Sequence, residues 1–590
     1  MKRKLLLLAL SLMLISVLFL AACSSNSGET GTEPEAPTTE EPGDTEEGTD
    51  GEGEETADSV EGWRLATDKS QIPAASLSRN DTIIIGMNET AGIFSPWFYS
   101  TAYDNYVNIS IFDYLLEVDY DGMIMPSVAD WEISDDGLKY TFSLQNDITF
   151  SDGTPLTAHD AVNTYYVLAD PTYDGNSDLT PANIKGWDEY KYGDAETIEG
   201  ITVVDDHTIE VEVTEAGAKT LLLVGNIAIL PSHHYMEGFS KGNLESIREL
   251  HQKPLGSGQY VFDSYIPGQE IRLTANESYW KGAPNITNLI YKPTTNETNI
   301  SMLQTGETDF EEGISVNADN VELLESLGFL DLSLLPNNGY GYIAFNHAKE
   351  KFQDQRVRQA LTYGLNREDI VYAYSQGYAD LLNIPQSRVS WAYPDESDLN
   401  AYDFDPDRAN QLLEEAGWEL ADDGYRYKDG QRFVIEFAAS SPNEVNDAII
   451  PYATENYRDL GIEFVPEQLE FNAVVEKRQR GDFDMLFLAW GLTSDPDPRN
   501  TFHTEGSQND DSYSNAEVDR LIEAGLEELD QDKRREIYNE LYQELNEDLP
   551  YIFMYQRYNM NTINSRIQGF EISPYRNFAY SLYKAYIDEE

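Results

Sequence analysis

From about Ile72 onward, apolar and polar positions alternate with a period that changes from segment to segment, which marks a mixed α/β chain. Thr82-Ile83-Ile84-Ile85-Gly86-Met87 is a short apolar run ended by glycine and predicts a strand. Tyr140, Phe142 and Leu144 alternate with Lys139, Thr141 and Ser143, the pattern of a half-buried strand. Ile201–Val204 and Thr208–Val213 flank Asp205-Asp206-His207, which reads as a hairpin. Helical spacing takes over elsewhere. Thr157 and Asp160 form a capping box ahead of Ala161, Val162, Tyr165 and Tyr166. Asp405-Pro406 opens a helix carrying Ala409, Leu412, Leu413 and Ala416, and Gly417 closes it. Val518, Leu521, Ile522, Leu526 and Leu529 repeat after Asn515, and a further helix is expected around Ile537 to Leu545. No internal repeat is evident.

The first residues follow a different logic. Lys2, Arg3 and Lys4 precede an apolar run from Leu5 to Leu20, broken only by Ser11 and Ser16, and Ala21 and Ala22 lead to Cys23. This is the form of a secretory signal over residues 1–22. An uncleaved anchor helix is the alternative for so long a run. Cys23, the single cysteine of the chain, favours lipidation, because Leu20-Ala21-Ala22-Cys23 resembles a bacterial lipobox. Residues 23–62 are rich in Ser, Thr, Gly, Pro, Glu and Asp and cannot bury enough apolar surface to offset chain entropy. They are expected to form an acidic stalk.

Length and charge narrow the function. The 590 residues suffice for two to four cores at ~100–200 residues each. Lys and Arg number 39 against 106 Asp and Glu, a net charge of -67, so no nucleic-acid partner is expected. One cysteine excludes a disulfide framework and a thiolate metal site. His233-His234 is an adjacent pair whose rings diverge, and no HExxH spacing occurs among seven histidines. Leu255-Gly256-Ser257-Gly258 is too short for a phosphate loop and reads as a tight turn. There is no Gly-x-Ser-x-Gly elbow, and carboxylate pairs carry little information in so acidic a chain. Gly481 to Ala489 reads as a turn feeding a buried strand, and Trp490-Gly491-Leu492-Thr493-Ser494-Asp495-Pro496-Asp497-Pro498 follows as either a cleft wall or a proline-capped turn.

Several ordered segments resemble the extracytoplasmic solute-binding proteins of peptide-type ABC importers, the oligopeptide/dipeptide-binding class known as family 5. Ala129-Asp130-Trp131-Glu132-Ile133-Ser134-Asp135-Asp136-Gly137-Leu138-Lys139-Tyr140-Thr141-Phe142-Ser143-Leu144 and Ile148 through Asp160 are similar to its signature, departing at Gln145. Pro254-Leu255-Gly256-Ser257-Gly258-Gln259-Tyr260 is similar to its glycine turn, with Gln259 for proline. Tyr279-Trp280, Gly306-Glu307-Thr308-Asp309, Arg356 through Leu361, Asp405 through Trp418 and Asp484 through Asp497 follow in the family's order, so the resemblance covers roughly residues 80–585.

The resemblance implies an α/β, two-lobed clamp of the periplasmic-binding-protein type (type II, large three-lobed class) with an inserted subdomain. Lobe I would combine 80–112, 200–294 and 556–590, the insert 113–199, and lobe II 295–555, with crossovers near Tyr291–Asn296 and Tyr551–Tyr558. A peptide would be captured between the lobes and passed to a membrane permease driven by cytoplasmic ATPase subunits. No cofactor or metal is implied, and the chain would act as a monomer held by its lipid on the outer face of a Gram-positive cell membrane. The family's ammonium-binding aspartate follows the tryptophan of the 490 segment. Three residues on from Trp490 stands Thr493, so Asp495 is the favoured anion, with Asp497 second. Trp490, Trp391, Phe94 and Phe98 are the expected aromatic lining. An oligosaccharide or a metal chelate in the same clamp remains an alternative ligand, as does a peptide signal. A secreted lipoprotein hydrolase is the alternative of another class. The acid excess further predicts adaptation to a salty or alkaline exterior.

Overall fold

Tyr551–Asn564 is a run of aromatic and β-branched residues, and in the computed structural model it forms a single fourteen-residue strand. The structure describes residues 62–588; the signal, Cys23 and residues 23–61 of the expected stalk lie outside them. Among the described residues no helix is long and apolar enough to cross a membrane.

The long strand joins two halves of one thirteen-stranded sheet. Its first part pairs antiparallel with Gly339–Phe345, from Ala344 opposite Tyr551 to Gly341 opposite Tyr555. Its second part pairs with Leu330–Pro336 and with Phe310–Glu312, where Glu312 stands opposite Asn561. Beyond Phe310–Glu312 the sheet continues through Thr82–Met87 and Asn288–Pro293, both parallel, to Glu270–Ala275 and Tyr260–Ile266. Beyond Gly339–Phe345 it continues through Met485–Gly491, Val434–Ser440 and Glu463–Leu469.

Each half has its own cores. Ile83, Ile85, Ile271 and Tyr291 pack with Phe310 and Ile563 in the first half, with Leu303, Leu324, Leu332 and Met560 in a smaller cluster beside them. In the second half Ile552 and Met554 face one helical layer, and Tyr551 and Phe553 face the other. Full burial on both sides accounts for the unbroken apolar pattern there.

These pairings correct two boundaries. Phe310–Glu312 lies against Thr82–Met87, and Leu330–Pro336 against the end of the long strand, so residues 295–336 belong to the first half and not to the expected lobe II. The chain first crosses near Pro336, well after Tyr291–Asn296. The four-stranded sheet of the insert runs Ala129–Ile133, Lys139–Leu144, Thr208–Glu212, Ile201–Asp205. The predicted hairpin therefore supplies two of its strands, and the insert extends past residue 199.

Most local predictions hold, although Leu529, expected on the apolar repeat after Asn515, lies beyond helix Ala516–Glu527 and is exposed. Tyr140, Phe142 and Leu144 are buried as the alternation required. Helix Ala158–Leu168 begins at the Thr157/Asp160 box, and the Asp160 carboxylate also accepts from Ser232 N–H at 2.9 Å. Pro406–Glu415 is capped by Asp405, and Ala516–Glu527 by Asn515. The two departures from the family signature have local uses. Gln145 Nε2 donates to Ser127 O at 2.6 Å. Gln259 ties down the C-terminal segment, donating to Ala579 O at 2.6 Å and accepting from Tyr583 N–H at 2.8 Å.

Candidate functional site

The two halves face one another across a cleft beside the long strand. A cavity of about 560 Å³ opens there, and a smaller one of about 190 Å³ adjoins it, the two sharing Pro574 and Tyr575. Residues from both halves line them: Asn88, Tyr106 and Glu312 from the first, Tyr374 and Glu444 from the second, and Arg557 on the crossing strand itself. Leu492 and Ser494, from the loop after Trp490, line the smaller cavity. The halves also touch directly. Lys219 Nζ meets Asp497 Oδ2 at 2.6 Å, Ala218 N–H donates to Leu526 O at 3.0 Å, and Tyr575 Oη donates to Val389 O at 3.1 Å.

The loop predicted as the ligand anchor is present, and its charges are already engaged. Both Asp495 oxygens accept from the Arg534 guanidinium, at 2.9 and 3.1 Å, and this pair is largely buried. Arg534 is held in turn by Gly525 O at 2.8 Å and Tyr538 Oη at 2.9 Å. Asp497 is neutralised by Lys219. The expectation that Asp495, or Asp497 in its place, offers a free anion to a ligand is therefore corrected: each already has a cation of its own. Thr493 is exposed, its hydroxyl donating to Asp495 O at 2.9 Å, and Asn338 Nδ2 donates to its carbonyl at 3.0 Å.

The aromatic candidates divide. Trp490 is half-buried, with its ring parallel to Tyr342 at 6.4 Å and the Arg478 guanidinium 5.6 Å from its centre. Arg478 is fixed by a buried two-pronged pair with Asp511, at 2.9 and 2.7 Å, to which Tyr551 Oη also donates at 2.6 Å. Trp391 is half-buried beside Arg534 and edge-on to Tyr538, so it joins the Asp495 cluster. Phe94 and Phe98 do not line the cleft. Phe94 is fully buried against Phe262 and Tyr265, and Phe98 packs on Tyr173 and His251 under Arg248. Both are core side chains, and that corrects their assignment to the lining.

The cavity has residues that sequence reasoning misses. Glu312 Oε1 accepts from Tyr106 Oη at 2.9 Å, while its Oε2 is buried and has no partner among the described residues. Burial raises its pKa, and the Tyr106 hydrogen bond offsets this only in part. Five asparagines line the same space: Asn88, Asn317, Asn559, Asn561 and Asn577. A signal existed for part of this. Arg557, Asn559 and Asn561 alternate with Tyr558 and Met560, which puts polar side chains at every second position, the mark of a strand face turned to solvent or ligand. Among the described residues no three His, Cys, Asp or Glu side chains converge to hold a metal ion.

Residues 124–513 match the family model of bacterial extracellular solute-binding proteins, family 5 Middle. The chain belongs to that family. An oligopeptide-binding protein, AppA, of Bacillus subtilis (strain 168), is 30% identical to this chain over 452 residues, 75% of this chain and 80% of that one. Heme-binding protein A of Haemophilus influenzae is 28% identical over 77% of this chain and 82% of its own length. The solved structure of AppA from Bacillus subtilis, in complex with a nonapeptide, aligns with a TM-score of 0.67 at 27% identity, covering 86% of this chain and 99% of that one. The mixed α/β, two-lobed architecture expected from the sequence is that of family 5.

Proposed function

We propose that this chain is the extracytoplasmic receptor of an ABC importer, that it captures peptides in the cleft between its halves, and that it passes them to a membrane permease. The observation that carries the reading is the asparagine lining of the 560 Å³ cavity. A carboxamide offers one donor group and one acceptor, as a peptide group does, so such a wall bonds main chain whatever the side chains. The name of AppA supports a peptide ligand, since it is an oligopeptide-binding protein, while the other relative is named for heme. No reaction is assigned to the site. The lipobox at Cys23 supports a lipid tether to the outer face of the cell membrane.

Mass spectrometry of material released by denaturing the full-length protein tests the ligand class. A ladder of short peptides is the expected result, and a single sugar or a metal chelate would overturn it. Replacing Cys23 with Ala should move the protein from the membrane to the soluble fraction.

A further inference from the structure

The large cavity contains two charges that the protein leaves uncompensated, one of each sign. Glu312 has its single hydrogen bond from Tyr106 and a second oxygen that is buried without a partner. Arg557 is exposed to the cavity and makes no ion pair among the described residues; its contact is with the side-chain amide of Asn337. The other charges nearby are satisfied. Asp495 and Asp497 hold Arg534 and Lys219. Glu444 is exposed to water in the first turn of helix Glu444–Asp459, where the helix N-terminus favours a negative charge.

Strand register fixes the distance between the two. Glu312 stands opposite Asn561 in an antiparallel pair, so their side chains share one face. Arg557 lies four residues back along Tyr551–Asn564 and therefore on that same face, about 13 Å away at ~3.3 Å per residue. Asn559 sits between them, on that face too. Glu312 pairs directly with the long strand and Arg557 belongs to it, so that strand sets their separation. Tyr103 and Tyr106 meet edge-on beside Glu312, with ring centres 6.1 Å apart, and both line the cavity.

We propose that this cavity binds a short zwitterionic chain end to end, with its ammonium at Glu312 beside Tyr103 and Tyr106 and its carboxylate at Arg557. The ammonium would supply the partner that the buried Glu312 oxygen lacks, with the tyrosine rings adding a cation–aromatic contact. The guanidinium presents two parallel N–H groups to a carboxylate. Asn559 and Asn561 face the main chain between. The assignment rests on the peptide reading above and adds to it a polarity, two anchors and a length. At ~3.3–3.6 Å per extended residue, a span of about 13 Å suits a peptide of about four residues.

The test uses ligand-free, full-length protein and three degenerate tetrapeptide pools, free, N-acetylated and C-amidated, with affinities read by titration calorimetry. Wild type should lose about tenfold or more in affinity with either cap, as expected when one partner of a desolvated pair is removed. Glu312→Gln should bind the free pool as weakly as wild type binds the acetylated one, and should not distinguish those two pools. Arg557→Gln should fail to distinguish free from amidated peptide. Asp495→Asn, where it folds, should keep both discriminations. The caps alter only the ligand, so wild type alone can still overturn the assignment if a variant does not fold. Equal binding of all three pools by wild type leaves the peptide reading standing and overturns this assignment, as does Glu312→Gln that still rejects acetylated peptide like wild type. Binding of none of the pools overturns this assignment, and the mass spectrometry of released material then decides the peptide reading separately.

Discussion

Asp495 and Glu312 are carboxylates at the edge of one cleft, and their neighbours give them different work. Asp495 meets a guanidinium with both oxygens. Glu312 meets one phenol. For Asp495 the consequence is structural. Asp495→Asn would leave the Arg534 guanidinium, 7% exposed, without its counter-charge. A broken buried pair costs about 3–5 kcal/mol, and the slight exposure here places the expected loss near the lower end, about 3 kcal/mol. Urea unfolding of the ligand-free protein should show an earlier midpoint for this variant; an unchanged midpoint would mean that the pair is not a stabilising contact. Sequence alone favours Asp495 as a ligand anchor because Arg534 lies 39 positions away, and no spacing rule connects the two. Glu312 escapes notice for the opposite reason, since Glu311-Glu312 looks like solvated surface in a chain with 106 acids.

The strand Phe310–Glu312 shows how an element only three residues long can carry two unlike buried acids. Alternation turns Glu312 to the cleft and Glu311 to the opposite face. There Glu311 accepts from Thr294 Oγ1 and Thr308 Oγ1, each at 2.8 Å. Its carboxylate lies against Gly86, where a Cβ would come within 2.0 Å of Oε1. In the sequence Gly86 reads as the end of a strand; in the fold it makes room inside one. Long, strongly patterned elements such as Lys139–Leu144 and Ala158–Leu168 are legible because periodicity and capping act within a few residues. Phe310–Glu312 is not, because its pairing with Thr82–Met87 is made across more than 200 residues, and missing it also displaces the lobe boundary.

The element has a pH signature. Burial lifts Glu311 from 4.5 to about 7, against the pull of the two threonine hydroxyls. A carboxyl whose folded pKa is raised is held protonated by the fold, so below 4.5 both states carry the proton and nothing is lost. Between 4.5 and about 7 the folded state alone keeps it, and stability falls as pH rises, by about 3 kcal/mol in all at 1.36 kcal/mol per unit. Glu311→Gln removes this penalty. The variant's thermal midpoint, measured relative to wild type, should be a few degrees higher at pH 8 than it is at pH 4. The same difference at both pH values would place the titration elsewhere.

At the scale of the whole molecule the charge imbalance dominates. With every one of the 39 basic residues paired, 67 acids remain without a partner, and only fourteen of the 106 acids lie in residues 24–61. Salt acts on this in two directions. It weakens exposed pairs such as Arg64–Glu325, in which both side chains are 43% exposed, but each of these contributes only ~0–1 kcal/mol to begin with. Buried pairs such as Arg478–Asp511 are hardly screened at all. The repulsion among unpaired surface acids, in contrast, runs over many pairs, and the screening length shrinks from ~10 Å at 0.1 M to ~3 Å at 1 M. Relief of repulsion therefore outweighs loss of attraction, and the thermal midpoint should climb steadily between 0.05 and 1 M sodium chloride. Sodium chloride is the proper probe, because sulfate would strengthen apolar burial by exclusion and raise the midpoint of any protein. A midpoint that stays flat or falls over that range would show that the acids are spaced too widely to interact. The surplus would then serve solubility alone, and the reading of a chain built for a salty exterior would be lost.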